Sequence, residues 1–155
     1  TLAPTIFCPG DGTGTPCPCG NNGAAEEGCA NGSGSGAKLL LEGSSSISAA
    51  NLVLTASQLS PSQPGLYFQG NNAINGGNGN AFGDGLRCAG GGVIRLQVRF
   101  SSASGESATT IDIAANGGVS SGDTKRYQIW YRDPAASPCG ALFNLSNGLE
   151  ITYAP

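Results

Sequence analysis

Several stretches of the chain alternate apolar and polar residues with period two, the pattern of a strand that turns one face to a core. In "VIRLQVRF", Ile94, Leu96, Val98 and Phe100 fall on one face, with Arg95, Gln97 and Arg99 on the other. "KRYQIWYRD" sets Tyr127, Ile129 and Tyr131 against Gln128, Trp130 and Arg132, and "GLEITYAP" sets Leu149, Ile151 and Tyr153 against Glu150 and Thr152. Shorter strands are expected in "AKLLLE" (37–42), "NLVLTAS" (51–57), "GLYFQ" (65–69) and "TTIDIA" (109–114). An eighth opens the chain: "TLAPTIFC" places Leu2, Pro4, Ile6 and Cys8 on one face and Ala3, Thr5 and Phe7 on the other. Pro4 lacks a backbone N–H, which suits a sheet edge.

Between these segments lie Gly, Asn, Ser and Pro clusters such as "GNNAINGGNGNAFGDG", where helix is disfavoured and positive φ is cheap. No ten-residue amphipathic helix is apparent; "AAEEG" has room for one turn. Many short strands separated by turns predict an all-β fold, an Ig-like antiparallel β-sandwich of about seven to eight strands with a disulfide-stapled N-terminal loop. The expected organisation is an N-terminal strand over residues 1–9, a Cys/Gly-rich connector over 10–36 and a sandwich core over 37–155. No long repeat period points to a propeller or solenoid.

Composition sharpens this picture. Charged residues make up 11% of the chain, far below the roughly 25% of ordinary soluble domains, so the surface is built of Gly, Ser, Asn, Thr and Gln. Weak charge repulsion leaves copies free to associate. A net charge of −3 with seven Lys plus Arg gives no footprint for nucleic acid. No apolar run approaches the ~18 residues of a membrane span, so membrane insertion is not expected. The lack of methionine, the Thr-Leu-Ala-Pro start and six cysteines predict export, with removal of a leader, to an oxidising extracellular or cell-surface location.

The chain has no histidine, which excludes Ser-His-Asp, Cys-His and His-zinc chemistry. Paired C-x₂₋₄-C ligand spacing is absent, and a single proline separates Cys17 from Cys19, so no metal or cofactor is expected. Cys8, Cys17, Cys19, Cys29, Cys88 and Cys139 are read as disulfide-bonded, with Cys88–Cys139 the preferred pair and the other four joined among themselves. Asp11 and Asp84 sit among glycines but lack the company of a calcium loop, so Asx-turn roles are expected. The acidic residues form no distinctive pair, and no enzymatic activity is predicted. Trp130, on the face opposite Tyr127, Ile129 and Tyr131, and Tyr67 are candidate glycan contacts. Asn31 and Asn144 begin N-x-[ST] sequons.

The connector is longer than structureless loops in compact domains usually are. Such length makes sense if the first strand must reach another molecule. A mature N-terminal strand, "TLAPTIFC", ahead of roughly seven Ig-like strands resembles the donor-strand fibre subunits of bacterial pili, in which one subunit's N-terminal strand completes another's open sandwich. The resemblance implies a structural, homopolymeric filament held through Leu2, Ala3, Pro4, Thr5, Ile6 and Phe7. The cysteine cluster departs from ordinary chaperone-assembled pilins. The phrases "GDGTGTPCPCGNNG", "FGDGLRCAGG" and "YQIWYRDP" also resemble a recurring domain of secreted bacterial proteins, which implies export and disulfides but no activity. The alternative expectation is a secreted carbohydrate- or surface-binding module.

Overall fold

The computed structural model describes residues 3–155; Leu2 of the expected donor strand lies outside them. In chain order the strands are β1 (Thr5–Phe7), β2 (Lys38–Glu42), β3 (Val53–Ser57), β4 (Pro64–Gly70), β5 (Asn72–Ala73), β6 (Asn80–Phe82) and β7 (Gly85–Arg87). There follow β8 (Ala89–Gly90), β9 (Ile94–Phe100), β10 (Ser107–Ala108), β11 (Thr124–Arg132), β12 (Phe143–Leu145) and β13 (Gly148–Thr152). Among the described residues the one α-helix, α1, is a single turn over Ile113–Asn116.

The fold is all-β, and every strand pair is antiparallel. The larger sheet runs β1-β13-β11-β4-β9, with β12 also paired to β11. A second sheet, β10-β3-β2, and the two-stranded ladders β5–β8 and β6–β7 complete it. The described residues thus hold thirteen strands in four sheets, where seven to eight were expected. The additional strands are two or three residues long, too short for a hydrophobic period to register.

The second sheet covers one face of the first. Leu39 and Leu54 from β2 and β3 pack with Tyr67, Tyr127, Ile129, Leu149 and Ile151 from β4, β11 and β13, all of them at most 1% exposed. Buried tyrosines need hydroxyl partners. Tyr127 donates to Gln69 Oε1 (2.8 Å) and shares a bond with Tyr153 (2.6 Å), while Asn31 Nδ2 donates to the Tyr131 hydroxyl (3.0 Å). Burial pushes the Tyr153 phenol up to about 12 and the other three tyrosines above their ordinary value.

The observed phasing of β11 and β13 matches the alternation in their sequences, but β9 departs from it. A register shift where Tyr67 and Phe68 meet β9 sets Tyr67 opposite Gln97 and Phe68 opposite Arg95. This bulge at Leu96 re-phases the strand. Leu96 packs toward the main core, whereas Val98 and Phe100 are 57% and 69% exposed. The segment 109–114 is also not a strand. Asp112 Oδ1 accepts from Ala115 N (3.1 Å) and caps α1, because a local side-chain bond competes with a ladder.

The expected Cys88–Cys139 pair is overturned: the disulfides are Cys8–Cys88, Cys17–Cys29 and Cys19–Cys139. The reason lies on the outer face of the larger sheet. Gln128 Oε1 there accepts the backbone N–H groups of Cys88 (2.7 Å) and Ala89 (3.2 Å). This holds Cys88 beside Cys8, at the end of β1. The connector does not stretch away as a spacer. Residues 10–36 wrap the body, with Thr15 donating to Gly79 O, Asn21 to Asp84 O and Gly28 N to Ala37 O. Cys8, Cys17, Cys29 and Cys88 then form a small second core with Leu86 and Phe7.

Candidate binding groove

Outward-facing residues of the larger sheet form rows across neighbouring strands. Leu145, Trp130, Leu66 and Val98 stand opposite one another on β12, β11, β4 and β9. Beside this row stand Gln128, Phe68 and Arg95; on its other side lie Arg132 opposite Phe143, and Pro64 opposite Phe100. The hairpins of residues 71–92 cover the Gln128 end, where Gln128 Nε2 donates to Leu86 O (3.0 Å) and Ser146 O (2.7 Å). The Trp130 end stays partly open.

Trp130 is clamped by two phenylalanines. Phe82, at the end of β6, has its ring centroid 5.6 Å from the indole, and Phe143, on β12, lies 5.7 Å away at a steep 72°. The two phenyl rings are 5.1 Å apart. Gly83, with φ +58°, allows this arrangement, since a Cβ there would lie 2.2 Å from the Phe143 ring. Such tilted packing favours ring edges against faces and holds the indole in one orientation.

Two clefts share Leu66 and Trp130. The first, about 240 Å³, is bounded by Phe68, Phe82, Arg87, Val93 and Arg95. The second, about 250 Å³, runs toward Pro64, Val98, Arg132 and Phe143. An apolar, aromatic concavity with a few polar groups is the usual form of a ligand site.

Of the two predicted glycan contacts, the structure places only Trp130 here. Tyr67 is fully buried on the opposite face, its hydroxyl bonded to Ser107 Oγ (2.6 Å), because successive residues of β4 point to opposite sides. The sequence reading missed Phe82, Phe143, Leu66, Arg87 and Arg95 as its companions. The "FGDG" turn sets Phe82 at a hairpin tip, but no local pattern aims that tip at Trp130.

The remaining predicted site residues serve other roles. Ile6 packs against the main core and Phe7 against the cysteine cluster, while Ala3, Pro4 and Thr5 are exposed. The expected donor strand here pairs with the chain's own β13, Thr5 to Glu150, Ile6 to Leu149 and Phe7 to Gly148. Asp11 forms an Asx turn with Thr13, whose hydroxyl and backbone N–H bonds hold its carboxyl below the usual value. Asp84 is instead buried and accepts from the Ser137 hydroxyl and Ala141 N, which pins the loop carrying Cys139. Asp133, likewise buried, accepts from Gly32 N and Ser60 Oγ. Burial acts to raise the Glu27 carboxyl, but Gln58 and the backbone N–H groups of Ala24 and Gly36 hold it below its ordinary value. These carboxylates are occupied in fastening loops. Among the described residues, no group of three or more Cys, Asp and Glu is placed to hold a metal.

Both sequon asparagines are buried and engaged: Asn31 Nδ2 donates to Gln58 O and Asn144 Nδ2 to Cys29 O and Ala30 O. Neither side chain is open to glycosylation in the folded chain. Comparison with protein-family models, with curated proteins and with solved structures finds no match. The groove is therefore interpreted from its own chemistry.

Proposed function

We propose that this chain is an extracellular, non-enzymatic carbohydrate-binding module on an Ig-like sandwich. The reading rests on the open groove in which Trp130 is braced by Phe82 and Phe143 beside Leu66 and Val98. The C–H face of a pyranose is apolar and packs on an indole, while its hydroxyls reach polar groups at the rim. A pre-braced ring forfeits little conformational freedom on binding. Three disulfides support the extracellular assignment.

Affinity electrophoresis through gels containing polysaccharides tests the reading. Retardation by at least one polysaccharide, lost in Trp130→Ala, is the expected result. Because Trp130 is partly buried, Val98→Glu on the exposed rim provides a second variant with little consequence for folding. Absence of retardation on every polysaccharide, or retardation unchanged in both variants, overturns the proposal.

A second reading, a pilus-like filament of copies of this chain joined through the N-terminal strand, is favoured by one observation. β1 is only three residues long and occupies the outer edge of its sheet, where few bonds oppose its exchange.

A further inference from the structure

The geometry points to an acidic glycan, one whose sugars carry carboxylate or sulfate groups, as the ligand of the Trp130 groove. This inference rests on the glycan-binding reading and names the class of sugar. Its basis is an imbalance of charge. The whole chain has seven Lys plus Arg against ten Asp plus Glu. Yet three of those seven, Arg87, Arg95 and Arg132, line the two clefts, and no Asp or Glu lines either one.

These arginines are not explained by internal pairing. Among the described residues the one ion pair is Arg126 with Glu150 (2.9 Å), on the same strand as Arg132 but outside the clefts. Arg87 Nε makes one long bond, 3.5 Å, to Ala89 O two residues along the chain. Arg95 and Arg132 are exposed and flank the apolar row of Leu145, Trp130, Leu66 and Val98. Three like charges gathered over an apolar surface repel one another and gain nothing for the free protein. They become favourable when an anion arrives.

Placement decides the form of that anion. Arg95 stands in the row on one side of Trp130 and Arg132 in the row on the other, diagonally across the sheet. At ~3.3 Å per residue the two are offset by about 13 Å along the strands. The anionic groups must therefore be distributed along an extended ligand whose middle rests on the indole. A short acidic oligosaccharide has that form, and a guanidinium meets a carboxylate or sulfate through two parallel N–H donors.

An acidic peptide added as a further strand is less well served. Side chains of β9 tie it to the segment around β10, since Gln97 bonds both the hydroxyl (2.7 Å) and backbone N–H (2.9 Å) of Thr110, and Arg99 Nε donates to Ala108 O (3.0 Å). Arg132 lies on β11, two strands in from the β9 edge, so a strand added there would not meet it.

The test is calorimetric titration of the unreduced protein with polygalacturonate, its methyl ester, a sulfated galactan, a neutral galactan and poly-glutamate. The inference expects polygalacturonate or the sulfated galactan to bind best, with affinity falling as salt rises. The preferred arm tells carboxylate from sulfate. Arg95→Gln with Arg132→Gln should weaken that binding roughly tenfold or more. Lys38→Gln with Lys125→Gln, an equal loss of charge outside the clefts, should leave it unchanged and so exclude an effect of net charge alone. If the neutral polymers bind as tightly as the charged ones and the arginine variant is indifferent, the acidic assignment falls while the glycan reading stands. If no polysaccharide binds, both fall. If poly-glutamate binds more tightly than either acidic glycan, the ligand is a peptide and the inference is overturned.

Discussion

The phenyl ring of Phe7 lies over Gly148, so closely that a Cβ on Gly148 would sit 2.5 Å from the ring. The two residues are also register partners across β1 and β13, and the disulfide at Cys8 anchors the next residue to Cys88. The end of β1 is therefore held to its own chain, and exchange of this strand requires Thr5 and Ile6 to leave β13. Gly148→Ala should displace the ring and lower stability by about 1–3 kcal/mol, read as a shift of the denaturation midpoint. The same strand tests the filament reading. Electron microscopy of unreduced protein should then show filaments that are lost on deletion of residues 1–7, and filaments that persist in the deletion refute the donor role.

The three disulfides close loops of unequal length, with partners 12 residues apart for Cys17–Cys29 and 120 apart for Cys19–Cys139. In the chain-entropy account the longer loop restricts the unfolded chain more, by about 2 kcal/mol. Double Cys→Ala replacement at Cys19 and Cys139 should accordingly cost more than at Cys17 and Cys29, measured by chemical denaturation. Peptide mapping without reduction should find the Cys88 peptide joined to Cys8; a Cys88–Cys139 peptide contradicts the structure.

All four tyrosines of the chain are buried, and burial raises the pKa of each. A phenol whose folded pKa lies above its unfolded value near 10.0 leaves stability intact below that pH. Above it, ionisation is open to the unfolded chain first, so stability falls as pH rises from about 10 toward the folded values. Tyrosinate absorbance should stay low past pH 10 and then rise together with loss of the circular dichroism signal. A gradual, non-cooperative rise centred at pH 10 would show the phenols to be accessible.

Legibility followed the length of each element. β11 and β13 are long enough for period two to declare which side chains enter the core, and the alternation correctly set Tyr127, Ile129 and Tyr131 opposite Trp130. It failed at β9, where one bulge at Leu96 turned Val98 and Phe100 outward, because a register shift depends on the partner strand and leaves no local mark. It failed also for α1, where the capping carboxylate of Asp112 outweighed the alternation of "TTIDIA".

The sequence by itself determined the all-β class, the cysteine-rich character and the outward placement of Trp130, since each depends on composition or on neighbours along the chain. Tertiary structure alone decided which cysteines meet, that Tyr67 is buried away from Trp130, and that Phe82, Phe143 and three arginines converge on one groove. Those contacts join residues up to 120 positions apart, and only the pairing of strands from distant segments brings them together.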